Sequence, residues 1–171
     1  MYNRKIEKHK YNRFFIRTLY LYKIKFDMKA IVLYYSHKGK TARFAREIAM
    51  YLWSKGLHVS LSSLSDFEPT RIKETDFLIT GCWTCGWFVV GQHPHKTWCE
   101  LSKPLSGIVP PEQTLFFTTY KIRTGSMFNR MKKVMQIPAK AQSFELRSRT
   151  GMLTADDKLI LDALIYSKTN Q

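Results

Sequence analysis

The chain has 171 residues, a length that suits one ordinary domain or one domain with an arm. Its 44% hydrophobic and 24% charged residues are typical of globular proteins and exclude a wholly disordered chain. No apolar run approaches the roughly 18 residues that span a bilayer, so no membrane span is predicted. Three cysteines are too few for a disulfide scaffold, and free thiols indicate a reducing cytoplasm.

The basic charge is unevenly distributed. The chain holds 28 basic and 13 acidic residues, a formal net charge of +15 that is typical of proteins that bind nucleic acids or anionic surfaces. Residues 1–27 carry eight of the basic and two of the acidic residues. Two interpretations of this segment stay open. Either it is a flexible basic arm, or the native protein starts at Met28, where a clean strand pattern begins at once.

The first elements after Met28 alternate between strand and helix patterns. A nearly continuous apolar run over Lys29–Tyr35 predicts a strand buried on both faces. Apolar residues at helical spacing then predict a helix that opens at Thr41 and stops at Gly56. The next predicted elements are a strand over His58–Leu64, a short helix over Pro69–Thr75 and a strand over Asp76–Gly81.

The second half repeats this alternation. The predicted elements are a long aromatic loop over 82–95, a short helix over Lys96–Lys103, a strand over Thr114–Tyr120, a helix over Gly125–Met135 and a strand over Ala141–Arg147. Thr154 and Asp157 have the spacing of a capping box, which predicts a last helix through about Tyr166. Five strands joined by helices predict an α/β protein, with a parallel sheet covered by helices on both faces.

In such folds ligands bind at the carboxyl ends of the strands, which places the loops 36–41, 81–95 and 120–126 in one region. The first loop reads Ser36-His37-Lys38-Gly39-Lys40-Thr41. Hydroxyls at both ends, an internal glycine and the start of a helix favour an anion held by backbone N–H groups. It is not a Walker A loop, because Tyr34 stands where the upstream glycine belongs. The alternative is a plain turn with Thr41 as N-cap.

The segment from Val32 to Ile48 resembles the flavodoxin signature in its strand, loop and helix positions. The resemblance extends more loosely over residues 28–166. It implies a three-layer flavodoxin-like fold with a five-stranded parallel sheet in the order 2-1-3-4-5, and FMN as the cofactor. It also implies a phosphate site formed by Ser36, His37, Lys38, Gly39, Lys40 and Thr41.

The other two loops should then hold the flavin ring. Gly81 and Thr84 match the family pattern Gly-x-Pro-Thr-aromatic, whereas Trp83 stands where proline is common and Cys85 where an aromatic residue is common. The resemblance implies ring contacts from Gly81, Cys82, Trp83, Thr84, Cys85, Gly86 and Trp87, with either tryptophan as the stacking residue. In the third loop it implies Thr119, Tyr120, Lys121, Thr124 and Gly125, with Tyr120 on the second face of the ring. Lys121 and Arg123 would stabilise negative charge on the reduced ring.

Cys82 and Cys85 also form a Cys-x-x-Cys pair, with His93, His95 and Cys99 downstream. A redox dithiol and a zinc site are alternatives that stay open. The irregular spacing favours three reduced thiols and no metal.

The sequence therefore predicts a monomeric, cytoplasmic FMN-binding domain over residues 28–171 that acts in electron transfer. Carrier flavodoxins are acidic around the ring, whereas this chain is basic there. A redox partner with an acidic docking surface is therefore expected, and no specific nucleic acid. Two alternatives are an FMN-dependent oxidoreductase acting on a quinone or a nicotinamide, and a flavin-free basic binding module on the same scaffold.

Overall fold

A computed structural model describes residues 28–87, 90–138 and 140–169. Both interpretations of the N-terminal segment 1–27 lie outside these residues. The strands are β1 (Lys29–Tyr35), β2 (His58–Ser63), β3 (Phe77–Trp87), β4 (Val90–Pro94), β5 (Thr114–Thr119) and β6 (Phe144–Ser148). The α-helices are α1 (Lys40–Ser54), α2 (Lys96–Ser102), α3 (Met127–Val134) and α4 (Ala155–Thr169), with short 3₁₀ turns at Pro69–Glu74, Lys103–Leu105 and Pro111–Gln113.

Five of the strands form one parallel sheet in the order β2-β1-β3-β5-β6. This is the predicted order 2-1-3-4-5, counted over the parallel strands. The register places Thr119 beside both Trp83 and Ser148, so the ends of β3, β5 and β6 meet at one edge. The carboxyl ends of the parallel strands thus converge, as the alternating pattern predicts.

The region after Gly81 differs from the prediction of a long loop. β3 continues to Trp87, and β4 returns antiparallel to it as a sixth strand. Trp and Thr favour extended backbone, and the pairing with β4 satisfies peptide groups of β3 beyond the parallel sheet. Gly81 does not mark the end of the strand. A side chain has no room at this position, because an added Cβ would lie 2.1 Å from the carbonyl oxygen of Phe117.

The sheet is buried on both faces. On one face, α1 and α4 cover Ala30, Val32 and their neighbours, with Phe44 packed edge-on against Phe117 at a centroid distance of 5.8 Å. On the other face, α2 and α3 cover Ile31 and Leu33. The fully buried Trp98 of α2 donates its indole N–H to Thr80 Oγ1 at 3.2 Å. The two layers of helices make the three-layer arrangement that the sequence predicts.

Polar contacts fix the start of α4 and its packing on α1. The backbone N–H of Thr154 donates to Asp157 Oδ2 at 2.9 Å, and that of Asp157 donates to Thr154 Oγ1 at 3.2 Å, which confirms the capping box. Lys55, just after α1, pairs with Asp162 of α4 at 2.8 Å. Hydrogen bonding to Asp162 raises the pKa of Lys55 to about 12.

The remaining boundaries lie within three residues of the predictions, and the strand Lys29–Tyr35 matches at both ends. The last strand begins at Phe144 rather than Ala141, because Ala141 forms a turn in which its N–H donates to Pro138 O at 2.9 Å. Within the described ranges, no helix combines the length and the apolar character needed to cross a bilayer.

Removing the cap of α4 should lower the stability of the domain without altering its fold. Thr154→Ala leaves the N–H of Asp157 without its acceptor, and we expect the free energy of unfolding to fall by about 1 kcal/mol. Urea denaturation followed by circular dichroism measures this change. The control is Thr70→Ala at an exposed position, for which a change below about 0.5 kcal/mol is expected. Equal effects in the two variants would contradict the role of the cap.

Candidate functional site

A cavity of about 550 Å³ lies at the carboxyl edge of the sheet. Its walls are the first loop, the hairpin of β3 and β4 that stands in place of the predicted second loop, and the third loop. Its lining residues are Ser36, His37, Lys38, Lys40, Thr41, Trp83, Thr84, Cys85, Gly86, Gln92, Thr119, Tyr120, Lys121, Ile122 and Arg123. The volume falls in the range that is usual for cofactor sites, roughly 300–1,000 Å³.

The first loop ends in a helix N-terminus without a side-chain cap. Gly39 occupies the N-cap position at φ +79°, a conformation that favours glycine, and within the described residues no side-chain hydrogen bond caps the N–H groups of α1. The first N–H groups of a helix have no intrahelical acceptor, so they are available to an anion. Among the described residues, the buried Oγ of Ser36 has no hydrogen-bond partner either. The first loop therefore contains hydrogen-bond donors that the described part of the chain does not use.

Thr41 plays a different part from the N-cap that the alternative interpretation assigns to it. Its side chain is 2% exposed, and its hydroxyl forms a hydrogen bond of 2.7 Å with the hydroxyl of Thr119. This buried bond joins the first turn of α1 to the last residue of β5. The first and third loops are thus held together below the cavity.

Trp83 of β3 lies in an aromatic cluster. Its ring is stacked on Tyr35 at 5.3 Å and lies 4.7 Å from His95 and 6.2 Å from His37, between ring centroids. Trp83 lines the cavity with one part of its surface. Trp87 is the last residue of β3, and the prediction for its side chain lies outside the described part of the structure.

Two threonine hydroxyls link the end of β3 to β5. Thr84 Oγ1 forms a hydrogen bond of 3.0 Å with Thr118 Oγ1, which donates to Cys82 O at 2.7 Å. These contacts tie the extension of β3 to β5. The wall that contains Trp83 is therefore anchored from below.

The third loop is fixed by the last residue of β6 and by the residue after it. The N–H of Tyr120 donates to Ser148 O at 3.2 Å. The Arg149 guanidinium donates to Lys121 O at 2.9 and 3.1 Å and lies 5.8 Å from the ring centre of Tyr120. Tyr120, Lys121 and Arg123 thus reach the cavity from one braced loop.

Twelve of the eighteen predicted site residues line the cavity, and five others lie around it. Gly39 shapes the first loop, whereas Gly81 and Cys82 lie in β3 below the cavity, where Gly81 has no room for a side chain beside Phe117. Thr124 is buried, and its carbonyl accepts the N–H of Met127 at the start of α3. Gly125 lies next to the side chain of Gln92. These residues support the walls rather than line them.

Two lining residues, Gln92 and Ile122, are absent from the prediction. Ile122 stands inside the predicted third loop, and its position between Lys121 and Arg123 was a usable signal. Gln92 belongs to β4, which lies in the segment predicted to be a loop, and no sequence motif marks it. Its position depends on how β4 pairs with β3, which sequence periodicity does not indicate.

The strand geometry separates Cys82 from Cys85. Both lie in β3, where residues three apart point to opposite faces and their Cα atoms are about 10 Å apart, too far for a disulfide. Burial raises the pKa of Cys82 well above its ordinary value and also raises that of Cys85 and Cys99. Protonated, separated thiols do not provide the dithiol chemistry of the redox alternative. In the described ranges, no group of three or more His, Cys, Asp or Glu is placed to hold a metal ion.

The comparisons with known proteins agree with this topology. The chain is 20% identical to a flavodoxin from the domain Archaea, with a TM-score of 0.59 over 82% of this chain and 99% of that one. For two-electron reduced Megasphaera elsdenii flavodoxin, the identity is 18% and the TM-score 0.59, with the same coverage. No protein-family model matches the chain, and no curated protein is significantly similar to it.

A larger protein contains a similar unit. Rubredoxin:oxygen oxidoreductase from Desulfovibrio gigas is 15% identical with a TM-score of 0.58, over 82% of this chain and 36% of its own. The chain therefore has the flavodoxin-like α/β fold. Its parallel strand order and two helix layers are those of that fold, and the antiparallel β4 is an addition to the five parallel strands.

The bond between Thr41 and Thr119 should stabilise the domain measurably. Either single change to valine leaves the partner hydroxyl buried without a hydrogen bond, which costs about 1–3 kcal/mol. The double variant Thr41→Val with Thr119→Val should lose less than the sum of the two single variants. Urea denaturation of all four proteins gives the coupling energy. Strictly additive losses would show that the two hydroxyls do not interact.

Proposed function

We propose that this protein binds FMN and transfers electrons. The observation that carries the proposal is the cavity with unused donors at one end and aromatic walls at the other. The buried Oγ of Ser36 and the uncapped N-terminus of α1 suit a phosphate. Trp83 and Tyr120 suit a flat conjugated ring. The residues present therefore fit both the phosphate and the ring of FMN.

The phosphate end combines three kinds of donor. The backbone N–H groups of the first turn of α1 and the Ser36 hydroxyl would donate directly to phosphate oxygens. Lys38 and Lys40 line the same end and are exposed, so they would add positive charge from the rim. Such a site prefers a phosphate ester to the corresponding alcohol, because the alcohol leaves these donors without a negatively charged partner.

At the ring end, the protein would position the flavin ring and tune its redox potential. When bound, FMN supplies one- and two-electron redox chemistry through its isoalloxazine ring. Trp83, fixed by Tyr35 and His95, would pack against the ring, and Tyr120 would approach it from the third loop. Lys121 and Arg123 would favour negative charge that accumulates on reduction.

The surface around the cavity favours an acidic partner. Four of its lining residues, Lys38, Lys40, Lys121 and Arg123, are basic, and the described lining contains no carboxylate. The half-exposed Ile122 gives the rim an apolar point between two cations. We infer that the redox partner docks through an acidic surface, because opposite charges steer the encounter and fix its orientation.

The three cysteines are free thiols, which supports a reducing cytoplasm as the site of action. A carrier that docks on a partner protein and an oxidoreductase that acts on a small quinone or nicotinamide need the same flavin site. Binding of FMN is therefore the property to test first.

The full chain should bind FMN on the order of a hundredfold more tightly than riboflavin, which lacks the phosphate. Ser36→Ala should weaken FMN binding about tenfold, because one donor to the phosphate is lost, and should leave riboflavin binding unchanged. Quenching of flavin fluorescence measures both affinities.

The matched control is Ser65→Ala, an exposed serine in the turn after β2, which should bind both flavins like the original protein. A protein that gains no flavin from an FMN solution would refute the proposed function and favour the flavin-free alternative. An equal loss of affinity for FMN and riboflavin in Ser36→Ala would show that the phosphate does not bind at the first loop.

The basic rim should make electron transfer depend on the charge of the acceptor. FMN-loaded, reduced protein should reduce anionic ferricyanide more slowly as ionic strength rises, whereas reduction of cationic hexaammineruthenium(III) should speed up. Lys121→Gln with Arg123→Gln should lower the ferricyanide rate at low salt about threefold. Stopped-flow absorbance of the flavin gives the rates.

Arg71→Gln with Lys73→Gln removes the same charge from an exposed 3₁₀ turn and is the control, with little change expected. Identical salt dependence for the two acceptors would argue against steering by the rim.

A further inference from the structure

Arg149, the residue after β6, contacts the third loop through two kinds of interaction. Its Nε and Nη2 donate to the same carbonyl oxygen, Lys121 O, at 3.1 and 2.9 Å. Its guanidinium carbon lies 5.8 Å from the centre of the Tyr120 ring, within the range of a cation–π interaction. Tyr120 and Lys121 both line the cavity. Arg149 therefore acts on the cavity from behind the wall that these two residues form.

The turn that carries Arg149 is anchored on two sides. Ser148 O accepts the N–H of Tyr120 at 3.2 Å, and Ser148 Oγ accepts the N–H of Gly151 at 2.9 Å. An added Cβ on Gly151 would lie 2.7 Å from Lys40 O, so the turn packs closely against the first turn of α1. The guanidinium thus extends from a fixed base between the start of α1 and the third loop.

The positive charge of Arg149 is not neutralised by a neighbour. Within the described ranges, no ion pair includes Arg149. A guanidinium does not lose its proton in proteins, and its hydrogen bonds to a carbonyl leave its charge unchanged. A fixed cation beside a cavity stabilises negative charge inside it. Because Arg149 is exposed, screening by solvent and salt keeps this effect moderate.

We propose that Arg149 is a positioning residue for the flavin ring and that its charge raises the redox potential of the bound flavin. This inference rests on the proposed function. The two hydrogen bonds fix the Lys121 carbonyl and with it Tyr120, which improves binding of FMN in either oxidation state. The charge favours the reduced ring alone, because reduction brings electron density into the cavity. The ratio of the two affinities sets the potential, so the charge shifts the potential and the positioning does not.

Two substitutions in the full chain separate these effects. Arg149→Lys keeps the charge and loses the two-point contact with Lys121 O, so oxidised and reduced FMN should both bind about threefold more weakly. Arg149→Gln also loses the charge, so reduced FMN should lose about fivefold more affinity than oxidised FMN. That difference corresponds to a two-electron midpoint potential about 20 mV below that of the original protein.

Fluorescence titration gives the affinity for oxidised FMN, and spectrophotometric titration against a reference dye gives the potential. Together they give the affinity for reduced FMN. The matched control is Arg71→Gln, which removes one charge from the exposed 3₁₀ turn before the amino end of β3, away from the cavity. It should leave both the affinity and the potential unchanged.

An unchanged potential in Arg149→Gln would show that Arg149 has a structural role alone, and it would overturn the proposal while FMN binding by the original protein stands. Equal shifts of the potential in Arg149→Gln and Arg71→Gln would overturn it as well. Unaltered FMN binding by Arg149→Lys would refute the positioning. A protein that binds no FMN at all would overturn this proposal together with the proposed function.

Discussion

The buried hydrogen bond between Thr41 and Thr119 is the constraint on which the rest of the site depends. It fastens the start of α1 to the end of β5, two points that are 78 residues apart in the sequence. With this bond in place, the uncapped helix N-terminus and the third loop face the same space. The parallel register then adds Trp83 on one side of Thr119 and Ser148 on the other. One pair of hydroxyls thus sets the distance between the two ends of the cavity.

The elements that depend on local sequence patterns could be predicted from the sequence. Apolar periodicity and contacts a few residues apart predict the strand over Lys29–Tyr35, a turn with an internal glycine before α1 and the capping box of α4, and the structure contains all three. The hairpin of β3 and β4 differs from the predicted loop because Gly81, which resembles a strand end in the sequence, lies in the middle of β3. Gln92 and Arg149 were missed because their places depend on tertiary pairing, and no short-range signal marks them.

The basic charge has a different meaning once it is placed on the fold. The excess over residues 28–171 is nine positive charges, and four of the basic residues line a cavity at the carboxyl edge of the sheet. Charge concentrated around a concave site acts on whatever enters or docks there, through a field that low-dielectric walls focus. A flat basic face would act differently, because it would suit an extended polyanion.

The two walls of the cavity differ in how they are supported. Trp83 lies in a paired strand and touches three other rings, so moving it would break strand pairing and ring contacts together. Tyr120 follows the end of β5 and is held by one backbone hydrogen bond and by the neighbouring Arg149. Any widening of the cavity therefore costs less on the third-loop side. We therefore expect the third loop, and not the tryptophan wall, to move when a molecule enters or leaves the cavity.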